Sequence, residues 1–124
     1  MNVVDSSAWL EYLADGPNAA IFAKPIAATR SLVVPTPSLF EVFKRVSQQQ
    51  NDDEALRAVA VMEQGIVVDL DRATALEAAR LSIQHAIAMA DSVMLATAHR
   101  HRAMLWTQDP DFDGLPGVRN PAEQ

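Results

Sequence analysis

Residues 88–112 read AMADSVMLATAHRHRAMLWTQDPDF, and their pattern decides the class of fold. The stretch opens with Asp91 at the head of an apolar helical pattern that runs to Ala98. A basic patch, His99–Arg102, turns the chain, and Met104–Thr107 re-enters as a short apolar strand. Asp109 follows just past that strand. One carboxylate at a helix start and another at a strand end, joined by a helix–strand turn, can meet at the same edge of a parallel sheet. Open α/β folds bind ligands at that edge, beyond the C-terminal ends of the strands.

The same alternation of short apolar runs and helical periods extends on both sides. Asn2–Val4 reads as a buried first strand with Asp5 at its end, and Ser6 or Ser7 is placed to cap a helix from Ala8 to Ala14. Asp15-Gly16-Pro17 closes that helix. A weaker helical piece spans Asn18 to Thr29, with an interruption expected at Pro25. Ser31–Val34 is the second strand. Thr36 then reads as an N-cap ahead of Pro37, opening a helix that carries Glu41 one turn in. Gln48–Gln50 reads as loop. Asn51 with Glu54 has capping-box spacing and opens a helix reaching Gly65. Ile66–Val68 is the third strand, Asp71 caps a helix to about Gln84, and Val118 can sit in a brief edge strand after the fourth strand. Strands alternating with helices predict one α/β domain over residues 1–124, with a central parallel sheet of four to five strands.

Composition narrows the function. A chain of 124 residues that is 49% hydrophobic can bury one core. No apolar run approaches the ~20 residues of a membrane span, and MNVVDSS lacks the basic start of a signal peptide, so a cytoplasmic protein is expected. The absence of cysteine removes disulfides, zinc–thiolate sites and thiol nucleophiles. A net charge of −6 argues mildly against nucleic-acid binding, unless several acids are metal ligands and bound cations invert the local field.

Four acids stand at element ends or one turn inside: Asp5, Glu41, Asp91 and Asp109. Each has a plain structural role open to it, as helix cap, solvated helix residue or turn former. Taken together the plain roles weaken, because Glu41 lies among Leu39, Phe40, Val42 and Phe43, and because Asp5 and Asp109 end strands expected to be central. Clustered carboxylates repel unless a cation joins them, and hard divalent metals such as Mg²⁺ or Mn²⁺ prefer oxygen ligands. Asp109–Gly114 matches the opening of a calcium-binding EF-hand loop, but Asn120 stands where that loop needs glutamate. His99 and His101, two residues apart, and the lone His85 read as surface residues. Lys44 and Arg45 can pair with Glu41 or reach phosphates near the site. No glycine-rich phosphate loop, nucleophile elbow or histidine-containing triad is present.

In order and spacing, VVDSSAWLEYL, PTPSLFEVFKRV and AMADSVMLATAHRHRAMLWTQDPDFDGLPGV resemble the PIN domain, and within it the VapC-type ribonuclease toxins. The most specific part is the pairing of ADSVMLATA with LWTQDPDF. The resemblance implies a PIN-like three-layer α/β/α fold. It implies that Asp5, Glu41, Asp91 and Asp109 bind Mg²⁺ or Mn²⁺ and cleave RNA phosphodiester bonds with activated water. Ser6 and Thr107 match accessory hydroxyl positions, and Asp111 is an additional acid. It also implies a VapB-like antitoxin partner and a homodimer. The first alternative is a catalytically silent PIN-like module that binds RNA or protein. A receiver-type phosphoacceptor domain is excluded by the lack of any lysine after Lys44. Trp9, Phe22, Phe40, Phe43 and Trp106 are numerous for one small sheet, so apolar surface is expected near Trp9–Phe22 and Phe40–Phe43.

Overall fold

Short apolar runs become strands, and the longer 3.6-residue periods become helices. The computed structural model describes residues 1–121. Its elements are β1 (Asn2–Val4), α1 (Ser6–Leu13), α2 (Ala19–Ala27), β2 (Leu32–Pro35), α3 (Thr36–Gln49), α4 (Asp52–Met62), β3 (Ile66–Val68), α5 (Arg72–His85), α6 (Met89–Arg100), β4 (Met104–Trp106) and β5 (Val118–Arg119). Short 3-10 turns at Thr29–Ser31 and Pro110–Phe112 precede β2 and β5.

All strand pairs are parallel, in the order β3-β2-β1-β4-β5. Val3 lies opposite Val33 on one side and Leu105 on the other, so β1 is the middle strand. The chain builds outward from β1 to β3 and then crosses back to add β4 and β5. The order therefore reverses between β1 and β4, which is where a sheet of this kind opens a crevice for ligands.

Side-chain alternation along the strands divides the core in two. Val4, Leu32 and Val34 pack with Trp9, Phe22, Val42 and Met62 beneath α1–α4. Val3, Val33 and Leu105 face the other way and pack with Leu81, Met94 and Phe112 beneath α5 and α6. The result is the expected three-layer α/β/α arrangement. α6 is the most enclosed helix, with every residue from Ser92 to Ala98 buried. That enclosure explains why its sequence shows little polar–apolar periodicity.

Several local expectations give way to packing. α2 runs through Pro25, which is buried, with Phe22 and Ile26 of the same helix in the core. Only the last turn lies beyond the lost N–H, so the break expected there does not occur. Pro35 rather than Thr36 occupies the cap position of α3, and Pro37 still falls where a missing N–H is harmless. α3 continues through the glutamines to Gln49, because polar residues suit its outer face. α4 ends at Met62 rather than Gly65, and Ala55, Ala58 and Met62, not Leu56, form its buried stripe. A Cβ on Gly65 would come within 2.9 Å of the Leu32 carbonyl oxygen, so the glycine lets the chain pass close to β2. Trp9 and Phe22 are fully buried, contrary to the apolar surface expected of them, whereas Phe40 is exposed. The Asn51 and Asp71 caps form as read, accepting from the N–H groups of Glu54 and Thr74 at 2.8 Å each. Among the described residues no helix is long and apolar enough to cross a membrane.

Candidate active site

Asp5 is the first residue beyond β1. Its N–H donates to the Trp106 carbonyl at 3.0 Å, which joins the ends of β1 and β4. Its carboxylate caps α1, with Oδ1 accepting from the Ala8 N–H at 3.0 Å and the Ser7 hydroxyl at 2.8 Å. The cap is therefore Asp5 itself, not Ser6 or Ser7, because the strand leads into the helix without an intervening loop. Oδ2 accepts from Thr107 Oγ1 at 2.7 Å, and that hydroxyl in turn accepts the Asp109 N–H at 2.9 Å. Burial pushes the Asp5 pKa up. The bonds from Thr107, Ala8 and Ser7 oppose that rise, and the Asp109 charge adds to it.

Asp91 has a different setting. It is the third residue of α6, whose cap position is held by Ala88. Among the described residues its carboxylate accepts no hydrogen bond, so the role of helix cap does not apply to it. Burial is the main cause that raises its pKa, to about 6, and the charges of Asp109, Asp111, Asp5 and Glu41 push in the same direction.

Asp109 lies three residues beyond β4 and opens the turn to Phe112, with Oδ1 accepting the Asp111 N–H at 2.9 Å. Phe112 is fully buried and anchors that turn. The turn has no flanking helix pair, so the EF-hand-like spelling has no EF-hand geometry. Carboxylate oxygens of Asp91, Asp109 and Asp111 lie within 4.8 Å of one another. Glu41 enters from α3 and accepts from the Ser6 hydroxyl at 2.7 Å.

Asp5, Glu41, Asp91 and Asp109 line one cleft of about 240 Å³ together with Ser7 and Arg45. Asp111 joins the carboxylate group from the exposed rim. The donor set fits a hard divalent cation. Three carboxylates approach closely enough to share one ion, and the repulsion that raises Asp91 is what such a charge relieves.

Ser7 and Gln108 belong to the supporting frame, and the sequence pattern alone does not mark either as a site residue. Ser7 takes a long bond from the Gln108 N–H at 3.4 Å, and the Gln108 side chain accepts from Asn18 Nδ2 at 3.2 Å. The only sequence signal for Ser7 is its place two residues after Asp5, which reads equally well as a cap. Lys44 and Arg45 form no ion pair with Glu41 among the described residues. His99 and Arg100 instead reach Glu77 on α5, each at 3.9 Å.

A parallel α/β/α sheet with acids gathered where its strand order reverses is the architecture of a PIN domain. The chain belongs to the PIN domain family, whose model matches residues 3–118. Among similar solved structures is a toxin–antitoxin complex from Klebsiella pneumoniae, at 20% identity over 98% of both chains and a TM-score of 0.83. VapC20 of Mycobacterium tuberculosis, a Sarcin-Ricin loop cleaving toxin, shares 14% identity over 94% of this chain and 95% of its own, with a TM-score of 0.78. DNA-bound VapBC from Salmonella typhimurium shares 16% identity over 97% of both chains, with a TM-score of 0.77. At these identities the likeness is one of fold. No curated protein sequence matches the chain.

Proposed function

We propose that this chain is an Mg²⁺- or Mn²⁺-dependent endoribonuclease, the toxin component of a VapBC-type toxin–antitoxin pair, working in the cytoplasm as a single PIN unit. The observation that carries the reading is the meeting of Asp5, Glu41, Asp91 and Asp109 in one cleft at the β1/β4 switch point. The names of similar structures, which include a toxin–antitoxin complex and an RNA-loop-cleaving toxin, support the toxin role and the RNA substrate.

Asp5, Glu41, Asp91 and Asp109 would hold the cation, and Asp111, whose carboxylate lies within 4.8 Å of those of Asp91 and Asp109, is placed to join them. When bound, the cation activates water and offsets charge on the phosphate. The chain's own residues set the geometry. Thr107, Ser7 and the Ala8 N–H hold both oxygens of Asp5, so its orientation is fixed before substrate arrives. Ser6 fixes Glu41 across the cleft in the same way. Thr107 ties the Asp5 carboxylate to the Asp109 backbone, so the strand-end acids move as one unit. In-line attack by water leaves a 5′-phosphate and a 3′-hydroxyl without using the RNA 2′-OH. An exposed RNA loop, whose bases are unpaired, is the favoured substrate class. A VapB-like antitoxin and a second copy of the chain are the expected partners.

Purified protein should cleave RNA in Mg²⁺ or Mn²⁺, stop when a chelator is added, and lose activity as Asp5→Asn or Asp91→Asn. Undiminished cleavage by both variants, in preparations free of contaminating nuclease, would refute the assignment.

A further inference from the structure

A chain of net charge −6 offers a polyanion few resting places beside a cluster of carboxylates. One such place lies along α3. Phe40, Glu41, Lys44, Arg45 and Gln48 line a depression that shares Glu41 and Arg45 with the acidic cleft. Residues 40 and 44, and residues 41 and 45, are each one helical turn apart, so two adjacent rows run along this side of the helix. Val42 and Val46 on the opposite side are buried in the core.

Phe40 is 67% exposed, and the Lys44 ammonium sits 5.8 Å from its ring centroid. A single exposed phenylalanine needs no explanation by itself. This one stands next in sequence to an acid of the cleft, with a cation held against its ring and a second cation one residue further on. Like most of the chain's Lys and Arg side chains, Lys44 and Arg45 form no salt bridge among the described residues, which leaves both charges open to a phosphate.

We propose that Phe40, with Lys44 and Arg45, is a stacking ledge that seats one unpaired RNA base beside the acidic cleft while the two cations hold its flanking phosphates. The proposal deepens the nuclease reading and rests on it. An aromatic ring accepts any base by its face, so the ledge selects unpaired over duplex RNA without reading sequence. A base inside a helix has both faces covered and cannot use it.

Two assays separate the ledge from the chemistry. Binding of a fluorescein-labelled 12-nucleotide single-stranded RNA is followed by anisotropy in EDTA, which prevents cleavage by a metal-dependent enzyme. Phe40→Ala should weaken binding by about 10-fold, within the range typical of one base–aromatic stack, and Phe40→Trp should restore it. Lys44→Ala should lower the slope of log affinity against log salt by about 0.7, as expected for one phosphate contact on a single strand. Hydrolysis of bis(p-nitrophenyl) phosphate in Mn²⁺, which offers no base to stack, should be unchanged in Phe40→Ala. Equal RNA affinity of wild type and Phe40→Ala would overturn the ledge. So would a Phe40→Ala defect confined to binding a protein partner. If the wild type hydrolyses neither RNA nor the ester, the nuclease reading fails on its own, and the EDTA binding arm still decides whether the ledge exists.

Discussion

Replacing Asp91 by asparagine should stabilise the metal-free protein, and the gain should depend on pH. Raising this acid from 3.8 to about 6 disfavours its charged form by about 3 kcal/mol at most, at roughly 1.36 kcal/mol per pH unit. The carboxyl group is only partly buried, so solvent screening reduces that to roughly 1.5 kcal/mol. Asparagine gives up the attraction between a carboxylate and the start of α6, worth about 0.5 kcal/mol. No hydrogen-bonded cap is lost, since Ala88 holds that position. Burial and repulsion together therefore outweigh the dipole, and the net gain is about 1 kcal/mol. With an unfolding entropy of about 2.1 cal/mol/K per residue, a chain of 124 residues should gain roughly 4 °C in Tm. The sign follows from linkage. A folded-state pKa raised above the unfolded value adds stability while the group is protonated, and that stability is lost as pH rises through about 6. Wild type and variant should therefore melt together near pH 4 and separate by pH 7.5. Calorimetry or near-UV melting in chelator at several pH values measures this. A variant that melts lower than wild type at pH 7.5, or a difference that does not vary with pH, would show that Asp91 serves the fold rather than a charged site.

Mg²⁺ or Mn²⁺ should raise the wild-type Tm in proportion to the logarithm of metal concentration and should raise that of Asp91→Asn less, which differential scanning fluorimetry would show. Thr107→Val keeps shape but removes a donor from buried Asp5 and an acceptor from the Asp109 N–H. Urea denaturation should register a loss of about 2 kcal/mol, Thr107→Ser should recover most of it, and RNA cleavage should fall with the valine. A Cβ on Gly16 would meet the Glu11 carboxylate, which accepts the Asn18 N–H at 2.8 Å. The end of the Glu11 side chain can swing aside, so the lost bond and the stiffer unfolded chain nearly cancel, and Gly16→Ala should change stability by less than about 1 kcal/mol in the same assay. Co-expressed with the product of the adjoining reading frame, the chain should purify as an inactive complex whose light-scattering mass exceeds one heterodimer. A monomer that ignores that neighbour would count against both expected partners.

The strands and most helices were legible because short apolar runs and helical periods follow from burial alone. The residues 88–112 pattern was enough to place Asp91 and Asp109 at one edge of the sheet. What the sequence hid was set by tertiary contact. The burial of Trp9 and Phe22 depends on how α1 and α2 settle on the sheet, and Pro25 stays helical because only the last turn of α2 follows it. Asp5 and Asp91 looked interchangeable as candidate caps, yet only the folded chain shows one saturated with donors and the other, among the described residues, with none. Asp111 lies in a stretch whose spelling suggested calcium, and it reaches the carboxylate group only because buried Phe112 pins the turn.

Because Asp5 both caps α1 and faces the cleft, its loss would harm the fold before it harmed any chemistry. Asp91 caps no helix, because Ala88 holds the cap position of α6. A relative drifting away from activity is therefore free to discard the acid on α6 early, while the acid after the first strand stays under pressure to keep the helix attached. The Asp-Ser-Ser at the start of such a chain then reports that the domain folds, and the acid in the Ala-Asp-Ser of α6 reports whether its cleft still works.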